Sequence, residues 1–236
     1  RSFSALLPTM ITLTLVGIVY GILEAFGYQE VYMHVYNLIS KPLMVFSNSL
    51  PVLLLLILIQ QVLWFFGLHG SNILAPVINS IFLALTAENM AAIAAGNTEG
   101  INIINSQFLD SYVNLGGSGL TAALMIAMII KSKSAINKSI RNVATGPAFF
   151  NINEPVIFGT PIVMNPFLLA PFVLTPTVVG ILMYLVVGSG LVPPFSGVVV
   201  PWTCPAIISG FLLGGWKMAL SQAVILVISF CIYFPF

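Results

Sequence analysis

The sequence predicts an all-α polytopic membrane protein whose transmembrane helices are accompanied by two re-entrant helical hairpins. Three observations carry this. Hydrophobic residues make up 59% of the chain, the mean hydropathy is +1.08, and only 6% of residues are charged. Apolar windows recur at lengths that cross a hydrocarbon core of ~30 Å, which takes about 20 helical residues. Polar islands rich in glycine and proline interrupt those windows, and irregular backbone at membrane depth is tolerated only where protein or a water-filled cavity satisfies it.

The windows run over residues 3–22, 43–68, 73–95, 120–130, 156–187 with interruptions, 191–213 and 216–236. The first lacks a basic leader and a small-residue cleavage site, so it reads as a transmembrane helix and not a signal peptide. The second ends at Gly67-Leu68-His69-Gly70-Ser71-Asn72. The third contains Pro76, Asn79, Thr86, Glu88 and Asn89 and reads as a hairpin. Next comes Asp110-Ser111-Tyr112-Val113-Asn114-Leu115-Gly116-Gly117-Ser118-Gly119, whose glycines allow a tight turn or close approach of the backbone to a ligand. Four of the seven basic residues, Lys131, Lys133, Lys138 and Arg141, then fall in one short segment, which the positive-inside tendency places in the cytoplasm.

From Arg141 the chain re-enters the membrane. At 1.5 Å per helical residue Glu154 lies about 20 Å along that path, near the midplane. It sits in the island Asn151-Ile152-Asn153-Glu154-Pro155, and Pro155 with Gly159 argues against an uninterrupted helix, since proline lacks a backbone donor and clashes with the preceding turn. A charge inside a span is penalised by roughly 2.5–3.5 kcal/mol on insertion scales, so an intramembrane carboxylate points to function. Asp110 and Glu88 read instead as groups nearer water. His69 stands at a helix end, where capping orphan backbone groups competes with a binding role. The Gly116–Gly119 run lacks the Lys-Ser/Thr of a phosphate cradle and is equally a flexible turn. By spacing alone, Trp202, within Pro201-Trp202-Thr203-Cys204-Pro205, reads more readily as an interfacial belt residue than as a sugar platform.

Net charge is +1, so nothing points to nucleic acid. Cys204 and Cys231 lie in apolar surroundings without CxxC spacing, which argues against redox chemistry, and no metal-ligand pattern or cofactor motif is present. The chain starts without methionine and stops on Phe-Pro-Phe, so it reads as part of a larger protein. Two regions are expected: residues 1–42, a transmembrane helix with a connecting amphipathic segment, and residues 43–236, a substrate-binding domain.

Three motifs carry a resemblance: Trp64-Phe65-Phe66-Gly67-Leu68-His69-Gly70, the Asp110–Gly119 run, and Phe150-Asn151-Ile152-Asn153-Glu154-Pro155-Val156-Ile157-Phe158-Gly159-Thr160-Pro161. In this order and spacing they resemble enzyme IIC of the bacterial phosphoenolpyruvate-dependent sugar phosphotransferase system, in its lactose, cellobiose and N,N′-diacetylchitobiose branch. The resemblance implies a transport domain that moves against a fixed dimerising domain, the latter formed by an earlier half that this chain lacks. It implies sugar contacts at His69 and Glu154, an aromatic platform at Trp202, and pocket positions at Asn114, Gly117, Asn151 and Asn153, with Asn153 equally suited to bracing its hairpin. The partners implied are a disaccharide, the lipid bilayer of the bacterial plasma membrane, a second copy of the protein, and a separate enzyme IIB whose phosphocysteine phosphorylates the sugar.

Chemically, a carboxylate accepting bonds from two hydroxyls can orient a sugar ring. Glu154, or alternatively His69, is the candidate acceptor for the reacting hydroxyl's proton. Residues alone leave open an ion-coupled secondary transporter, which would also use broken helices and a midplane carboxylate. A polytopic membrane enzyme pairing Asp110 with Glu154, and a non-transporting receptor, are the remaining classes.

Overall fold

The computed structural model describes residues 2–27, 38, 47–97 and 100–236, with side chains from residue 7 onward. All regular structure among the described residues is helical. The chain divides into two units, Arg1–Val45 and Phe46–Phe236. The boundary expected at 42/43 lies outside the described residues, as does most of the connecting segment. In the first unit, helix α1 (Ser2–Ala25) exposes its apolar side chains from Leu7 onward all round, as suits a helix whose solvent is lipid.

The second unit begins with α2 (Leu50–Phe65), which buries Leu53, Leu56, Ile57, Gln60, Gln61 and Trp64, one face at helical spacing. Its end is a paired turn: Leu68 N–H bonds Leu63 O at 3.0 Å and Gly67 N–H bonds Trp64 O at 2.9 Å, with Gly67 at φ +77°. His69 then caps α3 (Gly70–Ala94) by accepting from Asn72 N–H at 3.2 Å through Nδ1. Gly70 is required by packing, because a Cβ there would lie 2.2 Å from Gln60 O. The stretch read as a hairpin over residues 73–95 is therefore one 25-residue helix. The hairpin lies one element earlier, at α2–α3, because Gly67 turns the chain whereas Pro76, in the second turn of α3, is absorbed.

A single turn α4 (Ser106–Phe108), a π turn (Leu109–Val113) and a 3₁₀ turn (Ser118–Leu120) lead into α5 (Thr121–Lys131). Helix α6 (Ala135–Phe149) ends in the turn already seen after α2: Ile152 N–H bonds Pro147 O at 3.0 Å, Asn151 N–H bonds Ala148 O at 3.2 Å, and Asn151 takes φ +63°. Asparagine is the usual second choice for this left-handed position. The short α7 (Glu154–Gly159) follows with Pro155 in its first turn, so α6–α7 is the second hairpin. Met164 N–H reaches back to Phe65 O at 2.9 Å and ties the segment after α7 to the end of α2.

Helix α8 (Pro166–Gly188) is capped by Asn165, and α9 (Ile208–Gly214) and α10 (Trp216–Tyr233) close the unit. The apolar window at 191–213 is not a span, because Pro193, Pro194, Gly197, Pro201 and Pro205 prevent a helix over residues 189–207. Four carboxamides satisfy this irregular backbone: Asn89 donates to Phe195 O, Gln107 accepts from Val200 N–H, Asn151 donates to Trp202 O and Cys204 O, and Gln222 accepts from Ile207 N–H. Among the described residues, five helical stretches are long and apolar enough to cross a membrane: Leu7–Ala25, Gly70–Ala94, Ser106–Lys131, Pro166–Gly188 and Trp216–Tyr233. Beneath the second hairpin a core of Trp64, Ala123, Met125, Ala144, Val156, Ile157, Ile162 and Phe172 joins α2, α5, α6, α7 and α8. Its alanines allow the close helix approach on which packing in lipid depends.

Candidate functional site

The two hairpin turns meet. His69 at the first and Glu154 at the second lie 3.2 Å apart, Nε2 to Oε1, with side chains 34% and 40% exposed. Because Nδ1 of His69 accepts the Asn72 N–H, the ring proton resides on Nε2 and is donated to Glu154. His69 is thereby a helix cap through Nδ1 and a donor to Glu154 through Nε2. The indole of Trp64, fully buried, lies against the imidazole with ring centroids 4.3 Å apart. The second carboxylate oxygen, Oε2 of Glu154, is shielded and has no hydrogen-bond partner among the described residues. A buried acceptor without a donor is costly by ~1–3 kcal/mol, and a hydroxyl delivered by a ligand would satisfy it.

Around this pair opens a cleft of about 430 Å³, within the size range of small-molecule sites. All seven residues singled out in the sequence line it: His69, Asn114, Gly117, Asn151, Asn153, Glu154 and Trp202. They are not equivalent. Asn114 Oδ1 accepts from Gln60 Nε2 at 2.8 Å, and Asn153 donates to Ser118 O at 3.0 Å, bracing its hairpin against the glycine-rich turn. Gly117, at φ +94°, contributes backbone, since a Cβ there would lie 2.5 Å from the Asn153 side chain. Asn151, buried, spends its carboxamide on backbone groups of other segments. Trp202 is 56% exposed and is one of the residues lining the cleft.

Other lining residues were not singled out from the sequence. Gln60 bridges Asn114 and Ser118, Ser71 shares a 2.8 Å hydrogen bond with Ser118, and Asn79 completes the polar wall contributed by α3. An amide within the apolar window 43–68 is the same kind of signal as Glu154 and would have flagged Gln60. Asp110, read as a loop carboxylate nearer water, is carried by the π turn and also lines the cleft. Glu88 is exposed, as read, and accepts from Asn102 Nδ2 at 2.9 Å. Hydroxyl, amide and carboxylate side chains thus line the cleft together with Trp202, and such groups can hydrogen-bond hydroxyls.

Comparison with known proteins bears on this geometry. The family model for "Phosphotransferase system, EIIC" matches residues 1–176. The chain is 41% identical over 238 residues to the lichenan permease IIC component of Bacillus subtilis (strain 168), covering 100% of this chain and 52% of that protein. It is 43% identical over 239 residues to the cellobiose-specific EIIC component of Geobacillus stearothermophilus, covering 100% and 53%. The crystal structure of the transporter ChbC, the IIC component of an N,N′-diacetylchitobiose-specific phosphotransferase system, superposes with a TM-score of 0.79 at 38% identity, covering 100% of this chain and 55% of that one. The chain therefore spans about half the length of the relatives it matches. With the family model matching well over half of the chain and with relatives above 40% identity along its whole length, this multi-pass membrane protein belongs to the phosphotransferase system EIIC family.

Proposed function

We propose that the chain is the sugar-binding part of a permease that carries a disaccharide of the cellobiose, diacetylchitobiose or lactose type and presents it for phosphorylation. The observation that carries this reading is the His69–Glu154 pair, which meets at 3.2 Å across two hairpin turns and opens onto a polar cleft that Trp202 also lines. Glu154 accepts hydroxyls of one ring, His69 orients the carboxylate, and Trp202 offers an apolar face to the sugar's C–H surface. Asn114, Asp110 and Gln60 supply further polar contacts.

In the phosphoryl transfer, a phosphocysteine on a separate enzyme IIB is the donor. Its S–P bond breaks as a sugar O–P bond forms, the thiolate leaves on IIB, and the hydroxyl proton passes to Glu154. We assign the base role to Glu154 in preference to His69, because Nδ1 of His69 accepts the Asn72 N–H and its Nε2 faces the Glu154 carboxylate. Translocation is a movement of residues 43–236 as a unit, within a homodimer formed through the half of the protein outside this chain. Lys131, Lys133, Lys138 and Arg141 mark the cytoplasmic face toward IIB; no carboxylate occurs between Asp110 and Glu154 to neutralise them. Family membership favours this reading over ion-coupled transport.

Calorimetric titration of the full-length protein with cellobiose, lactose, diacetylchitobiose and glucose tests it. Saturable binding of at least one disaccharide, with glucose much weaker, is expected. Absence of binding to all three disaccharides would overturn the assignment.

A further inference from the structure

We propose that Asn151 is a positioning residue that sets the place of Trp202 across the cleft and does not itself contact the ligand; the inference rests on the sugar-site reading above. Asn151 occupies the left-handed position that ends α6, equivalent to Gly67 at the end of α2. Glycine is the residue this position favours, so the backbone gives no reason for an asparagine here. The side chain does. Its Oδ1 accepts the Gly116 N–H at 2.9 Å, and its Nδ2 donates to Cys204 O at 2.8 Å and to Trp202 O. Turning the amide over would set donor against donor and oxygen against two carbonyls, so the orientation is fixed. With the donor hydrogens committed and only 7% of the residue exposed, little is left for a ligand.

The three segments so joined each carry cleft residues: Asn114 and Gly117, Asn153 and Glu154, and Trp202. The Trp202 indole packs against no other aromatic ring among the described residues and is more than half exposed, so its position follows from its backbone. That backbone is a turn closed by Cys204 N–H to Pro201 O at 2.9 Å. The nearest other side-chain fastenings along this irregular segment are Gln107 at Val200 and Gln222 at Ile207. Asn151 alone among these amides grips the turn itself.

The test uses Asn151→Gly in the full-length protein, because glycine preserves the helix-ending turn and deletes only the carboxamide. In the phosphorylation assay with cellobiose, kcat/KM should fall roughly tenfold through KM, the equivalent of about one net hydrogen bond. In a Trp202→Ala background the same change should alter kcat/KM less than about twofold, since residues acting through one another are non-additive. A second readout needs no sugar: in a Cys231→Ser background, the half-buried Cys204 thiol should react several-fold faster with a small methanethiosulfonate reagent once Asn151→Gly frees its turn. Asn151→Asp, which keeps the bond from Gly116 N–H and loses both donations, should behave alike and carries the cycle if the glycine variant does not fold. Equal losses with and without Trp202, or unchanged kcat/KM and unchanged Cys204 reactivity, would overturn the proposal. Failure of the unaltered protein to phosphorylate cellobiose would count against the function, and the thiol reactivity would still decide the positioning role.

Discussion

At the level of single residues the site rests on side chains that work in two directions. His69 caps α3 through Nδ1 and donates to Glu154 through Nε2. His69→Asn keeps an oxygen for the cap and withdraws the donor from Glu154. We expect His69→Ala to lose about 0.5–2 kcal/mol of stability, the usual worth of a helix cap, and His69→Asn to regain most of it without regaining sugar affinity. Paired thermal melts and titrations check this, and affinity that returns together with stability would reduce His69 to a cap. Gly117→Ala forces a Cβ to within 2.5 Å of Asn153 at a positive φ. A loss of about 1–3 kcal/mol, read as a lowered melting midpoint, is expected from such overpacking. Glu154 and His69, which both line the cleft, were legible in the sequence as candidates because ionisable groups are rare in apolar surroundings. The role of Asn151 was not, since its partners are backbone groups 35 to 53 residues away, and no spacing rule anticipates them.

Among the elements, the two hairpins decide what the site can be. Each turns on a left-handed residue, Gly67 or Asn151, and each places its functional side chain two or three positions later, at His69 or Glu154. The break at Pro155 was legible from proline chemistry alone. The placement of the first hairpin within 73–95 was not correct: proline in the second turn of α3 loses few backbone bonds, whereas glycine beyond a helix end reverses the chain. The window at 191–213 misled for a related reason, because hydropathy counts apolar side chains and ignores that five prolines and glycines deny them a helix. The basic residues lie at the end of α5 (Lys131), in the connection after it (Lys133) and in the first half of α6 (Lys138, Arg141), and by the positive-inside tendency they are expected to set orientation. Lys133→Cys is expected to resist impermeant thiol reagents applied to intact cells and to react in inverted vesicles; labelling from outside would reverse the topology.

For the molecule as a whole, the proposed function assigns this chain a binding cleft and places the phosphoryl carrier on a partner. Cys204 is half-buried beneath Asn151, and Cys231 is exposed on α10 among apolar residues. Replacing both by serine in the full-length transporter should leave IIB-dependent sugar phosphorylation within about twofold, because neither cysteine lines the cleft around His69 and Glu154. Loss of phosphorylation with sugar binding preserved would assign the carrier to this chain. Membership of the EIIC family was legible from the three ordered motifs, while the geometry of their convergence needed the fold.

The central claim is that the Glu154 carboxylate holds the sugar and takes its proton. Glu154→Gln keeps the size and one acceptor oxygen and removes the charge. Charge-assisted hydrogen bonds are worth about 1.5–3 kcal/mol, so calorimetric titration of the well-folded variant should show affinity reduced roughly 10- to 150-fold, with phosphorylation reduced at least as much. Unchanged affinity together with unchanged phosphorylation would remove Glu154 from the site and contradict the account.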